Sequence, residues 1–301
     1  MGAAPSVSVV VPTLNAEHEL PSLLDMLHRQ SLVPGEIIVV DSSSDDHTQE
    51  IAQSDLSVQL IVIEREDFNH GSTRDMALRC ACGDIICFLT QDAVPASSSY
   101  LENLVAPMLA DREIALVSGR QLPKPGARRY EQLVREFNYP ERSSVRSAID
   151  LPRLGIKTFF ASDVCSAYRR SAYLECGGFP ALETNEDMLM AARFIKADYK
   201  VAYEASAVVF HSHNLTFRQQ FARNRCVGRF LASNESDLMG ASELGEGTRL
   251  VKVISSQLLR EGRLFEFVSF GFDCVARLLG NRVGRHDARR RATDEPKEDI
   301  V

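Results

Sequence analysis

Ile37-Ile38-Val39-Val40-Asp41 and Ile85-Ile86-Cys87-Phe88-Leu89-Thr90-Gln91-Asp92 are two apolar runs that each end in an aspartate. A wholly apolar run of this length reads as a parallel strand buried on both faces. Each carboxylate then sits at a strand's carboxyl end, where open α/β sheets bind ligands. Before these runs, Ser6 to Val11 reads as another strand, leading into the turn-forming Pro12-Thr13-Leu14-Asn15. Leu20, Leu23, Leu24 and Leu27 then mark a helix, in which Pro21 is tolerable only in the first turn. The alternation continues with strand 36–41, helix 46–55, strand 58–63, helix 72–82, strand 84–89, helix 99–111 and strand 114–119. This pattern predicts an α/β fold with a Rossmann-like, mostly parallel sheet flanked by helices.

Residues 124–154 lose the periodicity and read as an insertion of helix and loop. Structure resumes from Phe159 to Arg169, followed by a helix closed by Gly177-Gly178, a helix over 184–197 and strands near 200–204 and 207–210. Beyond Thr216 only helical patterns remain, and the Arg-rich end reads as frayed. The expected division is a sheet domain over 1–215, a C-terminal helical region over 216–285 and a disordered tail over 286–301.

With 301 residues, 45% of them hydrophobic, the chain can bury one large domain plus an appendage. A net charge of −7 argues against a general nucleic-acid binder. The charge is uneven: from Asn214 onward 15 Lys and Arg face 12 Asp and Glu, so the preceding part carries about −10. Seven cysteines, none in a Cys-x-x-Cys pair, fit free thiols in a reducing cytosol. Val7 to Val11 lacks the basic flank and cleavage site of a signal peptide. Leu264 to Leu279 is interrupted by Glu266, Asp273 and Arg277 and is not an ordinary membrane span. A cytoplasmic protein, free or resting on the inner face of the membrane, is expected.

The polar residues around these strands suggest a metal-nucleotide site. Asp41 either accepts hydrogen bonds from a base or ribose or, like Asp45, caps the next helix. Pro12-Thr13-Leu14-Asn15 stands where a dinucleotide fold would need Gly-x-Gly-x-x-Gly, and no Gly-x-x-x-x-Gly-Lys-Ser/Thr loop is present, which excludes both of those nucleotide folds. Asp92 is a candidate oxygen ligand for Mg²⁺ or Mn²⁺ together with a substrate diphosphate. His70-Gly71-Ser72-Thr73-Arg74 opens a helix with the residue types that suit phosphate, although Arg74 alone would read as a surface ion-pair residue. Glu186-Asp187 is either a dipole-favoured pair in a first helical turn or the source of a general base. His211 and His213 point the same way on an extended chain and are either structural or metal-ligating. On the C-terminal helices, Arg218, Arg223, Arg225 and Arg229, with Leu264, Phe265, Phe267, Val268 and Phe270 later, suit either an anionic bilayer or packing, including a homo-oligomer contact.

Three segments resemble the inverting glycosyltransferases of family 2, which have the GT-A fold. They are Val9-Val10-Val11-Pro12-Thr13-Leu14-Asn15, Glu36-Ile37-Ile38-Val39-Val40-Asp41-Ser42-Ser43-Ser44-Asp45 and Asn185-Glu186-Asp187, and the likeness extends over roughly residues 6 to 215. Phe68-Asn69-His70-Gly71-Ser72-Thr73-Arg74 and Leu89-Thr90-Gln91-Asp92-Ala93-Val94-Pro95 are most similar to bacterial rhamnosyltransferases that use dTDP-L-rhamnose. The resemblance implies transfer of a sugar, best L-rhamnose, to a saccharide or lipid-linked saccharide in cell-surface polysaccharide synthesis. The other readings are a UDP-hexose or UDP-N-acetylhexosamine transferase of the same fold, or a non-catalytic sugar-nucleotide-binding scaffold. It further implies nucleotide-sugar contacts from Pro12, Thr13, Asn15, Asp41, His70, Gly71, Arg74 and Gln91, with Arg74 on the diphosphate. Metal ligation would fall to Asp92, His211 and His213, and catalysis to Asp187 as the base beside Glu186. The family's Asp-x-Asp falls on Thr90-Gln91-Asp92, so the first carboxylate is replaced.

Overall fold

A computed structural model describes residues 5–241 and 245–294. The first part is the expected alternation: β1 (Val7–Thr13), α1 (Leu20–His28), β2 (Glu36–Asp41), α2 (Thr48–Ser54), β3 (Val58–Val62), α3 (His70–Cys80) and β4 (Ile85–Leu89). Then come β5 (Val94–Pro95), α4 (Tyr100–Ala110), β6 (Ile114–Leu122), α5 (Arg129–Asn138), β7 (Ser144–Arg146), α6 (Leu151–Leu154) and β8 (Cys165–Arg169). The chain continues through α7 (Arg170–Glu175), α8 (Glu186–Lys196), β9 (Lys200–Phe210), α9 (Phe217–Ser233), α10 (Glu246–Arg260) and α11 (Leu264–Asp294). Ile37 to Val40 and Ile85 to Leu89 are buried, as unbroken apolar runs require. Leu20, Leu23, Leu24 and Leu27 all face the core, and Pro21 stands in the first turn of α1, where its missing N–H costs nothing.

The strands lie in the order β3-β2-β1-β4-β8-β6-β9-β5, with β7 alongside β9. β3, β2, β1 and β4 are mutually parallel, as is β6 with β9. β8 enters antiparallel between β4 and β6, and β5 and β7 run antiparallel to β9. The sheet is therefore mixed in its second half. A strand buried on both faces reads the same in either direction, so sequence pattern alone cannot orient β8. The strands expected at 200–204 and 207–210 are one strand, β9, with a register shift against Gly119 and Arg120. There a Cβ on Gly119 would lie 2.6 Å from the Ala207 carbonyl oxygen. The segment expected to be helix and loop also contains β7, paired to β9 through Val145 and Ala202.

Most of the chain as far as Ser212 forms one compact unit around the sheet; residues 126–134 and the segment from His213 onward form a second. The second unit has its own core of Tyr130, Leu133, Val134, Ile254, Leu258 and Phe270. Within it α9 and α11 lie backbone to backbone: a Cβ at Gly228, Gly280 or Gly284 would come within 2.4 Å of the facing main chain. Helix α11 continues through Asp294, so residues 286–294 are helical where the Arg-rich sequence reads as frayed. Residues 295–301 of that expected tail lie outside the described residues. Among the described residues no helix is long and apolar enough to cross a membrane.

Candidate active site

The carboxyl ends of β1, β2 and β4 surround a cavity of about 230 Å³. Pro12, Thr13 and Leu14 line it from β1, Ser42 from the end of β2, Thr90 and Gln91 from β4, and Arg65, Phe68, His70 and Arg74 from α3 and the turn before it. Pro12, Thr13, His70, Arg74 and Gln91, five of the expected nucleotide-sugar contacts, thus meet in one place. Arg65, Phe68, Ser42 and Thr90 line it too, although none of them is among the expected nucleotide-sugar contacts. The Thr90 hydroxyl, where the family pattern has its first aspartate, is buried without a hydrogen-bond partner.

Asn15, Asp41 and Gly71, also expected as nucleotide-sugar contacts, are not among the residues that line this cavity. Asp41 is fully buried. One carboxylate oxygen accepts from the Ser44 N–H and the Gln49 amide, and the other from the Thr13 and Ser44 hydroxyls. Neither Asp41 nor Asp45 caps α2; Asp46 accepts from the Thr48 N–H at 3.0 Å, and Asp45 pairs with Arg65 at 2.7 Å. Asn15, in the left-handed region at φ 51°, donates its N–H to Ser44 and accepts from the Asp45 N–H, which ties the two strand-end loops together. Gln91 spends both ends of its amide on the Leu14 backbone, and so fixes the cavity's rim.

The opening of α3 also differs from a bare phosphate-binding helix end. The Asn69 side chain caps it, accepting from the N–H groups of Gly71 and Ser72. Gly71 is needed for packing: a Cβ there would lie 2.0 Å from the Pro180 carbonyl oxygen, and its N–H also bonds Leu182. The Pro180–Leu182 turn is delivered by α7, whose end is a Schellman motif with Gly177 and Gly178 at φ 86° and 73°. Eight residues beyond Gly178, α8 starts at Glu186 after Asn185, which takes the left-handed conformation.

Glu186 and Asp187 join a buried cluster whose remaining acid, Asp163, carries no sequence signal. Arg74, 5% exposed at its side chain, bonds Glu186 at 2.9 Å and approaches Asp163 at 3.9 Å. The other Asp163 oxygen accepts from the Ser166 and Tyr168 hydroxyls. Asp187 accepts from the N–H groups of Asp163 and Met188. Burial, then the charges of Glu186 and Asp163, hold the Asp187 carboxyl well above the usual carboxylate range. Burial likewise pushes Asp163 up to about 6 against the pull of Arg74. Asp187 and Asp163 thus favour retention of a proton, and a carboxyl with a raised pKa in a cleft is the usual setting of a general base.

Just beyond β4, the ligand atoms of Asp92, His211 and His213 lie within 4.8 Å of one another. His211 Nε2 is 3.5 Å from Asp92, and its Nδ1 is 3.1 Å from the Gln121 side-chain amide oxygen. That contact suits an Nδ1–H tautomer, which leaves the Nε2 lone pair facing Asp92. Lys124 stands 3.6 Å from the same carboxylate. One carboxylate and two imidazoles can hold a divalent cation, and the two nitrogen ligands suit Mn²⁺ better than Mg²⁺, which takes oxygen ligands almost exclusively.

The sequence model of Glycosyl transferase family 2 matches residues 8–177. The O-antigen chain rhamnosyltransferase RfbN of Salmonella typhimurium is 41% identical over 93% of this chain and 90% of its own length. WbaN of Salmonella anatum, an O-antigen chain rhamnosyltransferase, is also 41% identical, over 94% of this chain and 90% of its own. Among solved structures, the mannosyltransferase PcManGT of Pyrobaculum calidifontis, in complex with GDP-Man and Mn²⁺, superposes with a TM-score of 0.66 at 18% identity, covering 95% of this chain and 88% of that one. Staphylococcus aureus TarS 1-349 in complex with UDP-GlcNAc gives 0.59 at 16% identity, covering 95% and 92%. At such identities the structural matches establish a shared GT-A-like fold.

Proposed function

Because the chain belongs to glycosyltransferase family 2, we propose that it transfers L-rhamnose from dTDP-L-rhamnose to a saccharide acceptor during synthesis of a cell-surface polysaccharide. The rhamnose assignment is supported by the two Salmonella relatives. The observation that carries the site assignment is the placement of Arg74, which lines the cavity and also holds Glu186 beside Asp187. One side chain, Arg74, thus links the donor cavity to the carboxylate pair.

In this reading the nucleotide occupies the cavity against Pro12, Thr13 and His70. Gln91 lies on the same wall, Asp41, Asn15 and Gly71 brace the loops around it, and Arg74 faces the diphosphate. Asp187 takes the proton from an acceptor hydroxyl as its oxygen bonds to the anomeric carbon. The bond from that carbon to the diphosphate breaks, dTDP leaves with the electron pair, and configuration inverts. Glu186 is engaged by Arg74, which leaves Asp187 to act as the base. Asp92, His211 and His213 would hold a divalent cation that neutralises charge on the leaving diphosphate.

Thermal denaturation with dTDP-rhamnose, UDP-glucose and UDP-N-acetylglucosamine, each with and without Mn²⁺, tests the donor, since a ligand at a hundred times its Kd adds about 2.7 kcal/mol. We expect dTDP-rhamnose to stabilise most. Selective stabilisation by a UDP sugar would replace the donor assignment, whereas binding without any donor hydrolysis or transfer would make the chain a scaffold.

The raised Asp187 carboxyl gives a second expectation. The base works only when deprotonated, so kcat/KM should climb with pH along a limb displaced above the usual carboxylate range. Asp163→Asn removes one of the charges that raise it and should move the limb to lower pH. An unmoved limb would separate Asp163 from the base.

Phe265, Val268, Phe272, Val275 and Leu279 are all exposed along α11 at steps of three and four residues, with Phe265 85% exposed. With the basic balance of the C-terminal helices, this stripe supports peripheral contact with the inner membrane face, where a lipid-linked acceptor resides, more than a homo-oligomer contact.

A further inference from the structure

A second cavity, of about 250 Å³, lies in the sheet unit away from the donor pocket, and no role assigned above uses it. Its walls are largely apolar: Phe137, Pro140, Leu154, Phe160 and Tyr203 line it. Two cations, Arg146 and Lys157, line it as well, and its lining holds no acid. In a chain of net charge −7, such a chamber selects against cations.

Arg146 is the anomaly that makes this a site. It lies on β7 opposite Val201 and is 7% exposed, yet its guanidinium makes one hydrogen bond, 2.7 Å to the Lys157 carbonyl oxygen. Its Nε and second terminal nitrogen are buried with no hydrogen-bond partner. Asp150 is the acid whose charge bears on it, but its two oxygens are taken by Arg153 and the Ser147 N–H. Burial pushes the guanidinium down to about 10, so Arg146 remains charged at neutral pH. A buried charge with unfilled donors costs several kcal/mol unless an anion completes it. Structural arginines in this fold show the contrast: Arg169 places its donors on the carbonyls of Met108, Asp111 and Ile114.

The cavity adjoins the aromatic cluster around Tyr139. Phe160 and Tyr203 pack on Tyr139 with ring centroids 5.7 and 6.4 Å away, and Tyr139 is close enough to Asp187 for that carboxylate's charge to act on its hydroxyl. The donor pocket approaches the carboxylate cluster through Arg74 instead.

We propose that the Arg146 cavity binds an oxyanion, a phosphate or a carboxylate, carried by the acceptor, with Arg146 and Lys157 as its cationic partners and Phe137, Phe160 and Tyr203 packing against the ring or chain that bears it. The acceptor part of this assignment rests on the glycosyltransferase reading, while the anion site itself does not. The two sources of such a group are the diphosphate of a lipid carrier and the carboxylate of an acidic sugar.

The chain contains no tryptophan, so Phe160→Trp puts a single indole in the cavity wall and its fluorescence reports occupancy. Farnesyl diphosphate, glucuronic acid and inorganic phosphate are titrated into the full chain carrying this substitution, with dTDP added first to occupy the donor pocket. We expect a saturable change with farnesyl diphosphate if the lipid carrier supplies the anion, or with glucuronic acid if an acidic sugar does. Adding Arg146→Met should weaken that binding about tenfold or more, the usual loss for a charge-assisted hydrogen bond. Should Arg146→Met fail to fold, Lys157→Met in the same background is read against the same expectation. Binding undiminished by the cation variant, or no response to any of the three probes, overturns the site. Binding of inorganic phosphate alone overturns its assignment to the acceptor. Loss of the glycosyltransferase reading has a different signature, in which no nucleotide sugar is turned over while the fluorescence response and its dependence on Arg146 persist.

Discussion

Asp187→Asn is expected to lower the rate of sugar transfer by about a thousandfold while leaving donor affinity nearly unchanged. General base catalysis by a positioned side chain contributes on the order of 10² to 10⁴ in rate. An amide of the same shape keeps an oxygen for one of the two N–H groups, of Asp163 and of Met188, that now bond one carboxylate oxygen each, but it cannot take a proton. Because Asp187 is absent from the lining of the donor cavity, the loss should fall on kcat and not on donor binding. The measurement is steady-state transfer beside calorimetric donor titration. Turnover within a few fold of the parent would remove Asp187 from the role of base. A parallel loss of donor affinity would instead mean that the cluster had collapsed.

The legibility of this fold follows from what each signal encodes. The runs at Ile37–Val40 and Ile85–Leu89 fix burial on both faces, and burial on both faces fixes central strands, so the carboxyl-end location of the site follows from a few residues. Direction is not encoded in the same way. Cys165–Arg169 is buried like a parallel strand and runs antiparallel, because its pairing is decided by what precedes it over a long insertion. The site residues divide along a similar line. Pro12, Thr13, His70, Arg74 and Gln91 lie in segments with a local pattern, and the structure gathers them in one cavity. Asp163 lies alone between Ser162 and Val164, and only the antiparallel insertion of β8 carries it to Arg74 and Glu186. Gly71 and Asn15 show a third case: their residue types also report backbone approach and loop conformation, which no local pattern separates from a ligand contact.

Arg74→Met should cost about 3–5 kcal/mol of stability at neutral pH, the range for breaking a buried ion pair by removing one partner. Methionine replaces much of the aliphatic stem, so lost packing is a minor part of the cost. The larger part is electrostatic, since Glu186 loses its partner at 2.9 Å and Asp163 the cation at 3.9 Å, with Asp187 alongside both. The cost should depend on pH in a definite direction. Asp163 already stands at about 6 in the folded chain, against roughly 4 for an unfolded aspartate, and the Arg74 charge is what holds it down to that value. A carboxyl raised on folding binds its proton more tightly in the native state. Its contribution is therefore favourable below the unfolded value and is lost as pH rises through the folded one. Without Arg74 the folded value rises further, so the variant should lie closest to the parent near pH 4–5 and fall away from it through pH 6 and above. Denaturant unfolding at both ends of that window measures the difference. Adding Glu186→Gln to Arg74→Met should restore part of the loss, because two neutral partners leave no buried charge at that position. A penalty that is the same at every pH and is not relieved by Glu186→Gln would mean that Arg74 acts through packing alone, and would sever the donor cavity from the carboxylates that the guanidinium now joins.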